Sequence, residues 1–223
     1  MVSGPLQSGK SSYIKFLDEN ALNVEAKGAD NKYYTVAMDL GSLIINNFHV
    51  YLFGTPGLKR FRVMREIVSS GSDGVVFIFD AAAPEKDKDA IEMLNSLRSA
   101  LGSNMPMIFL ANKQDIKNAR SSEVIRQQNH LNPEDKVFPT STKTGLNIKK
   151  SLNFLINEIY ENYESLFEVL KNYEDDIKGL AEALNKGREE IRDFLNKMEV
   201  KKFIELDRKT KTYKVKNGLE FVT

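Results

Sequence analysis

Residues 4–11, Gly4-Pro-Leu-Gln-Ser-Gly-Lys-Ser11, fit the pattern G-x-x-x-x-G-K-[ST] of a phosphate-binding loop. Its two glycines permit backbone conformations, and a close approach of the ligand, that side chains would obstruct. The loop amides then point inward at the positive end of the following helix and form an anion site. Lys10 reaches the β- and γ-phosphates, and Ser11 offers a hydroxyl to Mg²⁺. The alternative is a Gly/Ser turn that fits by chance, and the flanking structure decides between the two.

The flanking residues supply a helix but little strand. Residues 12–20 are predicted to form the helix, with Tyr13, Ile14 and Leu17 on its inner side. Only three residues precede Gly4, whereas a strand usually has about five or six. We therefore expect either an unusually short strand or a natural start upstream of Met1, and we favour the second.

Farther along the chain, predicted strands alternate with predicted helices. Residues 74–80 and 105–111 are continuous apolar runs, as in strands buried on both faces, and residues 87–101 have apolar residues at helical spacing. The other predicted strands cover residues 35–45, 48–53 and 136–139, and the other predicted helices cover residues 59–70, 121–129 and 148–163. The pattern predicts an α/β fold with a doubly wound, mostly parallel sheet. In such a sheet the ligand lies beyond the carboxyl ends of the strands.

The bulk properties of the 223 residues indicate a globular protein of the cytoplasm. The hydrophobic fraction is 41% and the charged fraction 28%, as in soluble domains. A net charge of +1 argues against a strong general attraction to nucleic acid or acidic membranes. The absence of cysteine excludes disulfides and lipid attachment at cysteine, and Val2 excludes N-myristoylation. Because we find no signal peptide and no apolar run long enough to span a bilayer, we expect no membrane anchor.

The pattern changes near residue 164. Apolar residues at helical spacing predict three helices, the last two at residues 177–184 and 188–198. Short strands are then predicted at residues 202–206, 213–215 and 219–222. Three helices followed by a β-ribbon resemble a winged-helix domain. We therefore predict two domains, a nucleotide-binding domain at residues 1–163 and a winged-helix-like α+β domain at residues 164–223.

In order and context, the motifs of residues 1–163 resemble those of Ras-like small GTPases. Asn112-Lys-Gln-Asp115 matches N-K-x-D, and Ser141-Thr-Lys143 resembles the S-A-K loop that faces the base. The resemblance implies that the Asp115 carboxylate accepts hydrogen bonds from the guanine N1–H and 2-amino group, which adenine cannot supply. The predicted nucleotide-binding residues, for GTP and GDP, are Gly4, Gln7, Ser8, Gly9, Lys10, Ser11, Ser12, Asn112, Lys113, Asp115, Ser141, Thr142 and Lys143. The resemblance further implies that Ser11 and Thr35 bind Mg²⁺ and that Lys10, Thr35 and Gly57 serve catalysis.

Three positions depart from the Ras-like pattern. The aspartate of the D-x-x-G motif is Gly54, which puts Mg²⁺ affinity in doubt. The glutamine that orients the attacking water is replaced by Leu58, and a glycine of the phosphate loop by Leu6. We therefore expect slow GTP hydrolysis. Residues 53–57, read with residues 35–41, resemble a prokaryotic group related to the polarity switch MglA, and Asp39 is either a replacement carboxylate or, equally, a solvated strand residue.

Three functions remain open. The first is a GTP-dependent switch that recruits a protein effector and responds to exchange or activating factors. The second is a nucleotide-responsive nucleic-acid binder that acts through its C-terminal domain, and the third is a pseudo-GTPase scaffold. From Ser165 onward, thirteen Lys/Arg face twelve Asp/Glu, a weak charge footprint for DNA binding, so we favour a protein partner.

Overall fold

The architecture is a computed structural model that describes residues 1–23, 25–27, 33–35, 38–45, 48–57, 68, 71–101, 105–201 and 203–215. Its ten strands, in chain order, are β1 Val2–Ser3, β2 Glu25–Lys27, β3 Tyr33–Thr35, β4 Asp39–Ile45, β5 Phe48–Gly54, β6 Val75–Asp80, β7 Met107–Asn112, β8 Lys136–Pro139, β9 Ile204–Asp207 and β10 Thr212–Val215. Six of them form one sheet in the order β4-β5-β1-β6-β7-β8. The pairs β1–β5, β1–β6, β6–β7 and β7–β8 are parallel, which confirms the predicted mostly parallel sheet.

Within the described residues, six α-helices accompany the strands. They are α1 Lys10–Leu17, α2 Asp87–Leu101, α3 Ser122–Gln128, α4 Ile148–Asn172, α5 Ile177–Ala183 and α6 Arg188–Val200. Ser121 caps α3 by accepting a hydrogen bond from the Val124 amide, and Asp176 caps α5 in the same way through Gly179. Among the described helices, none is both long and apolar enough to cross a membrane.

The central strand β6 is buried along its whole length. Every residue from Val75 to Asp80 is buried, and the rings of Phe77 and Phe79 lie 6.2 Å from that of Phe109 on β7. A continuous apolar run is what a strand covered on both faces requires. This core holds the carboxyl ends of β1, β6 and β7 at one edge, where the predicted ligand site lies.

Several predicted elements differ from those observed. Thr35 ends β3, which pairs antiparallel with β2, instead of opening the strand that begins at Asp39. β1 has two residues and is as short as the three residues before Gly4 indicated. Helix α4 continues to Asn172 instead of ending at Tyr163, because no glycine or proline interrupts it. The predicted helix at residues 59–70, apart from Val68, and the predicted strand at residues 219–222 lie outside the described residues.

The chain divides into two compact units. The first comprises Met1–Ile45 with His49–Ile159, and the second comprises Asn46–Phe48 with Tyr160–Thr223. The predicted border lies four residues later, between residues 163 and 164. The second unit has its own apolar core, in which Leu170, Leu180 and Tyr213 are fully buried. Strands β9 and β10 pair antiparallel in this unit.

Candidate nucleotide-binding site

The phosphate loop joins β1 to α1, as the motif predicts, so the chance-match alternative is wrong. Gly4 has a φ of +143° and Gly9 a φ of +107°, values that L side chains rarely adopt. A Cβ at Gly4 would lie 2.3 Å from the Ile78 carbonyl oxygen on β6. The loop therefore packs directly on the central strand, and its first glycine is required by space as well as by conformation.

Lys10 and Gly57 meet at the inner side of this loop. The Lys10 ammonium donates a hydrogen bond to the Pro5 carbonyl oxygen at 2.7 Å, and the residue is 6% exposed. A Cβ at Gly57 would lie 2.8 Å from both Lys10 Nζ and the Leu6 Cα. The structure thus brings Lys10 and Gly57, two of the predicted catalytic residues, against the loop at Leu6.

Ser11 faces a carboxylate at the start of β4. Its hydroxyl donates to Asp39 Oδ2 at 2.7 Å, and Asp39 is 1% exposed. The alternative of a solvated strand residue for Asp39 is therefore wrong. A hydroxyl beside a buried carboxylate is an oxygen donor set that suits Mg²⁺, which would supply positive charge against the triphosphate oxygens.

Asn112 links the phosphate loop to the loop that follows β8. Its Nδ2 donates to the Ser8 carbonyl oxygen at 2.8 Å, and its Oδ1 accepts from the Thr142 amide at 3.2 Å. Asn112 is fully buried. One side chain therefore fixes the spacing between the segment predicted to bind phosphates and the segment predicted to face the base.

Asp115 is exposed, and its carboxylate is oriented by a hydrogen bond from the loop that follows β8. Its Oδ1 accepts a hydrogen bond of 2.6 Å from the Ser141 hydroxyl, which itself accepts from the amides of Lys143 and Thr144. The Ser141 hydrogen bond is the main cause that holds the pKa of the Asp115 carboxyl below its usual value. The carboxylate is thus ionised near neutral pH, oriented, and open to a ligand that offers two donors.

Asp80 is a buried carboxylate that sequence reasoning did not single out. It ends β6, and its Oδ2 lies 2.7 Å from both Lys113 Nζ and Lys86 Nζ. Burial opposes its charge, but the hydrogen bonds from Lys113 and Lys86 outweigh that effect and lower the pKa of the carboxyl. Asp80 therefore positions Lys113, the lysine of the predicted base-binding motif. Its place at the carboxyl end of a central strand is the signal that could have revealed it.

Replacing Asp80 with asparagine is expected to destabilise the domain by about 1–3 kcal/mol at pH 7, because two lysines lose their shared carboxylate. The lowered pKa means that Asp80 stabilises the fold above its unfolded pKa of about 3.9, and that this contribution is lost as the pH falls through the lower folded value. Urea unfolding across pH 7 to about 3 measures the difference. Glu85→Gln, in an exposed side chain of the following turn, is the control. If the difference in unfolding free energy between the wild-type protein and Asp80→Asn stayed constant over this pH range, the stabilising role assigned to the Asp80 carboxylate would be contradicted.

The other predicted site residues fall into two groups. Gln7, Ser12 and Lys143 are exposed or partly exposed, and Ser8, within the phosphate loop, is buried. The strand position of Thr35 is described, but its side chain and all of Leu58 lie outside the described residues. The predicted metal-binding and catalytic roles of Thr35 therefore stay predictions.

Comparison with known proteins agrees with this geometry. A model of the Ras family matches residues 1–161. An uncharacterized protein of Methanocaldococcus jannaschii is 34% identical over 161 residues, which cover 71% of this chain and 92% of that protein. The Ras-related protein RABA2a of Arabidopsis thaliana is 22% identical over 68% of this chain and 70% of its own length, and the GTP-binding nuclear protein GSP1 of Encephalitozoon cuniculi is 28% identical over 62% and 65%. The chain therefore belongs to the Ras family of GTPases, and residues 1–161 are its GTPase domain.

Proposed function

We propose that this protein is a GTP/GDP-binding switch that uses Mg²⁺, hydrolyses GTP slowly and recruits a protein effector in its GTP-bound form. The observation that carries the proposal is the pair of contacts made by Asn112, which joins the phosphate loop to the loop that orients Asp115. That arrangement supports a role of the phosphate loop in holding anionic phosphates and of the Asp115 carboxylate in selecting guanine.

Slow hydrolysis follows from what surrounds the phosphate loop. The Leu6 backbone lies close to Gly57, and Leu6 stands where Ras-like proteins usually have a glycine, so we expect its side chain to crowd a terminal phosphate. The residue after Gly57 is Leu58, which cannot hold the attacking water by a hydrogen bond as the glutamine of Ras does. Residues 53–57, read with residues 35–41, support placing the chain near the MglA-related prokaryotic group.

Titration of the nucleotide-free protein with GTP, GDP and ATP in the presence of Mg²⁺, followed by a single-turnover hydrolysis time course, tests this function. We expect GTP and GDP to bind at least about 100-fold more tightly than ATP. Leu58→Gln is expected to raise the single-turnover rate about tenfold or more, because the amide can orient water. Leu58→Asn is the matched control, since its amide is one methylene shorter and reaches less far.

Equal affinity for ATP would overturn the guanine assignment. Fast hydrolysis by the wild-type protein would overturn the slow switch, whereas tight GTP binding with no turnover in either protein would favour a pseudo-GTPase scaffold. Each outcome is read from binding and rate separately.

A winged-helix-like C-terminal unit fits the effector proposal. Helices α5 and α6 precede the antiparallel pair β9–β10, and the exposed face of α6 carries both signs of charge. Arg208, at the turn of this ribbon, forms an ion pair with Glu199, with 2.7 Å between Nη2 and Oε2. Its positive charge is therefore already compensated and is less suited to bind a nucleic-acid phosphate. Mixed charge favours a protein partner over a nucleic-acid backbone. A salt-dependent mobility shift of DNA or RNA by the full chain would contradict this proposal and favour a nucleic-acid partner.

A further inference from the structure

Gly54 and Asp39 occupy the same small space. A Cβ added at Gly54, the last residue of β5, would lie 2.8 Å from Asp39 Oδ2 and 2.9 Å from Asp39 Cβ, and 2.7 Å from the Cδ1 end of the Ile14 side chain. Real Cβ atoms essentially never approach other atoms this closely. A side chain at position 54 and the observed position of the Asp39 carboxylate therefore exclude each other.

The Asp39 carboxylate is buried beside the one hydroxyl of the phosphate loop that suits a metal ion. Oδ2 accepts the 2.7 Å hydrogen bond from Ser11, and the whole residue is 1% exposed. Burying a carboxylate is costly unless a hydrogen bond, an opposite charge or a metal compensates it. Because the Asp39 carboxylate contacts Ser11, a potential Mg²⁺ ligand, its negative charge lies where it would attract a bound cation.

No larger acidic cluster in the described part of the chain competes for this role. Within the described residues, no group of three or more His, Cys, Asp or Glu side chains could hold a metal ion. Mg²⁺ in phosphate sites is usually held by one or two protein oxygens together with phosphates and water, so one hydroxyl and one carboxylate suffice. In P-loop proteins these two groups are the loop Ser/Thr and an aspartate.

We propose that Asp39, at the start of β4, supplies the carboxylate of the Mg²⁺ site, and that Gly54 is small because that carboxylate occupies its place. The acid has thus moved between neighbouring strands of the sheet while the Ser11 contact is kept. The inference rests on the proposed nucleotide function, since Mg²⁺ would enter with GDP or GTP.

The test compares the wild-type protein with Asp39→Asn and with the exchange variant Asp39→Gly/Gly54→Asp. Release of a fluorescent GDP analogue is measured against Mg²⁺ concentration, and urea unfolding of the nucleotide-free protein checks the fold. Asp39→Asn is expected to raise the Mg²⁺ concentration for half-maximal retention about 10–100-fold. The exchange variant is expected to recover part of that loss, because removing the side chain at position 39 clears its contacts with a Cβ at position 54 and leaves the end of the buried Ile14 side chain to turn aside. Glu19→Gln, an exposed carboxylate after α1, is expected to behave as wild type.

A second measurement needs no variant. Mn²⁺ replaces Mg²⁺ in the GDP complex of protein labelled with ¹³C-aspartate, and electron-nuclear double resonance detects carboxylate carbon near the metal. A ¹³C coupling supports the proposal, and its absence overturns it, as does a wild-type Mg²⁺ dependence in Asp39→Asn. Failure of the wild-type protein to bind guanine nucleotides in either metal would instead overturn the proposed function.

Discussion

Replacing Asp115 with asparagine is expected to lower GTP affinity at least about 100-fold without unfolding the domain. The carboxylate is exposed, so no buried packing is lost, and its main contact is the 2.6 Å hydrogen bond from Ser141. In the nucleotide complex it would accept from both donors of guanine. An asparagine amide has an acceptor oxygen and a donor NH₂ group, so the guanine 2-amino group would face the NH₂ group. Two donors that face each other form no hydrogen bond, and the affinity for GTP falls.

Xanthosine triphosphate makes this test selective. Its base keeps the N1–H donor but carries a carbonyl at position 2, which matches the acceptor and the donor of an asparagine amide. Asp115→Asn is therefore expected to bind the xanthosine nucleotide more tightly than GTP, the reverse of the wild-type order. Isothermal titration with both nucleotides measures the exchange. A variant that merely misfolds would lose both ligands and fail a parallel urea unfolding check.

Two control variants distinguish direct recognition of the guanine base by Asp115 from a structural role in the surrounding loop. Ser141→Ala removes the hydroxyl that orients Asp115, and we expect it to weaken GTP by about tenfold while guanine stays preferred. Glu134→Gln changes an exposed carboxylate in the loop before β8 and is expected to have no effect. Wild-type GTP affinity in Asp115→Asn would contradict the assignment of this residue to the base.

The sequence predicted those parts of the fold that short-range patterns encode. The apolar run of β6 and the helical spacing of α2 led to the observed elements, with α2 and β8 bounded as predicted. The phosphate loop and Asn112-Lys-Gln-Asp115 could be predicted from the sequence because their chemistry requires fixed residue types at fixed spacing. Both motifs lie at strand ends of one sheet, which is how distant segments meet.

The remainder depends on contacts between segments far apart in the chain. Nothing near Asp80 in the sequence indicates that Lys113 would share its carboxylate with Lys86. The sequence alone left Asp39 equally open to two interpretations, and its burial against Ser11 and Gly54 excluded the solvated one. The short strand β2, Glu-Ala-Lys, has little strand propensity of its own and is formed by pairing with β3.

The phosphate loop itself should be most sensitive at its first glycine. Gly4→Ala is expected to abolish measurable GTP binding and to destabilise the domain by at least about 2–4 kcal/mol. The new methyl group would meet the Ile78 carbonyl oxygen at 2.3 Å, and a φ of +143° strains any L side chain. Because the obstacle is backbone of the central strand β6, neither side can move without disturbing the sheet.

Gly71→Ala is the matched control, since apart from its chain neighbours no heavy atom of the described residues lies within 4 Å of the new Cβ and φ is not in the left-handed region. It is expected to keep wild-type affinity and to change stability by less than about 1 kcal/mol. Thermal unfolding with and without GDP measures both effects, because a ligand that binds only the folded state raises its Tm. We expect GDP to stabilise Gly71→Ala as it stabilises the wild-type protein and to leave Gly4→Ala unchanged. If GDP raised the Tm of Gly4→Ala as much, the nucleotide would not depend on this loop, and the phosphate site would have to lie elsewhere.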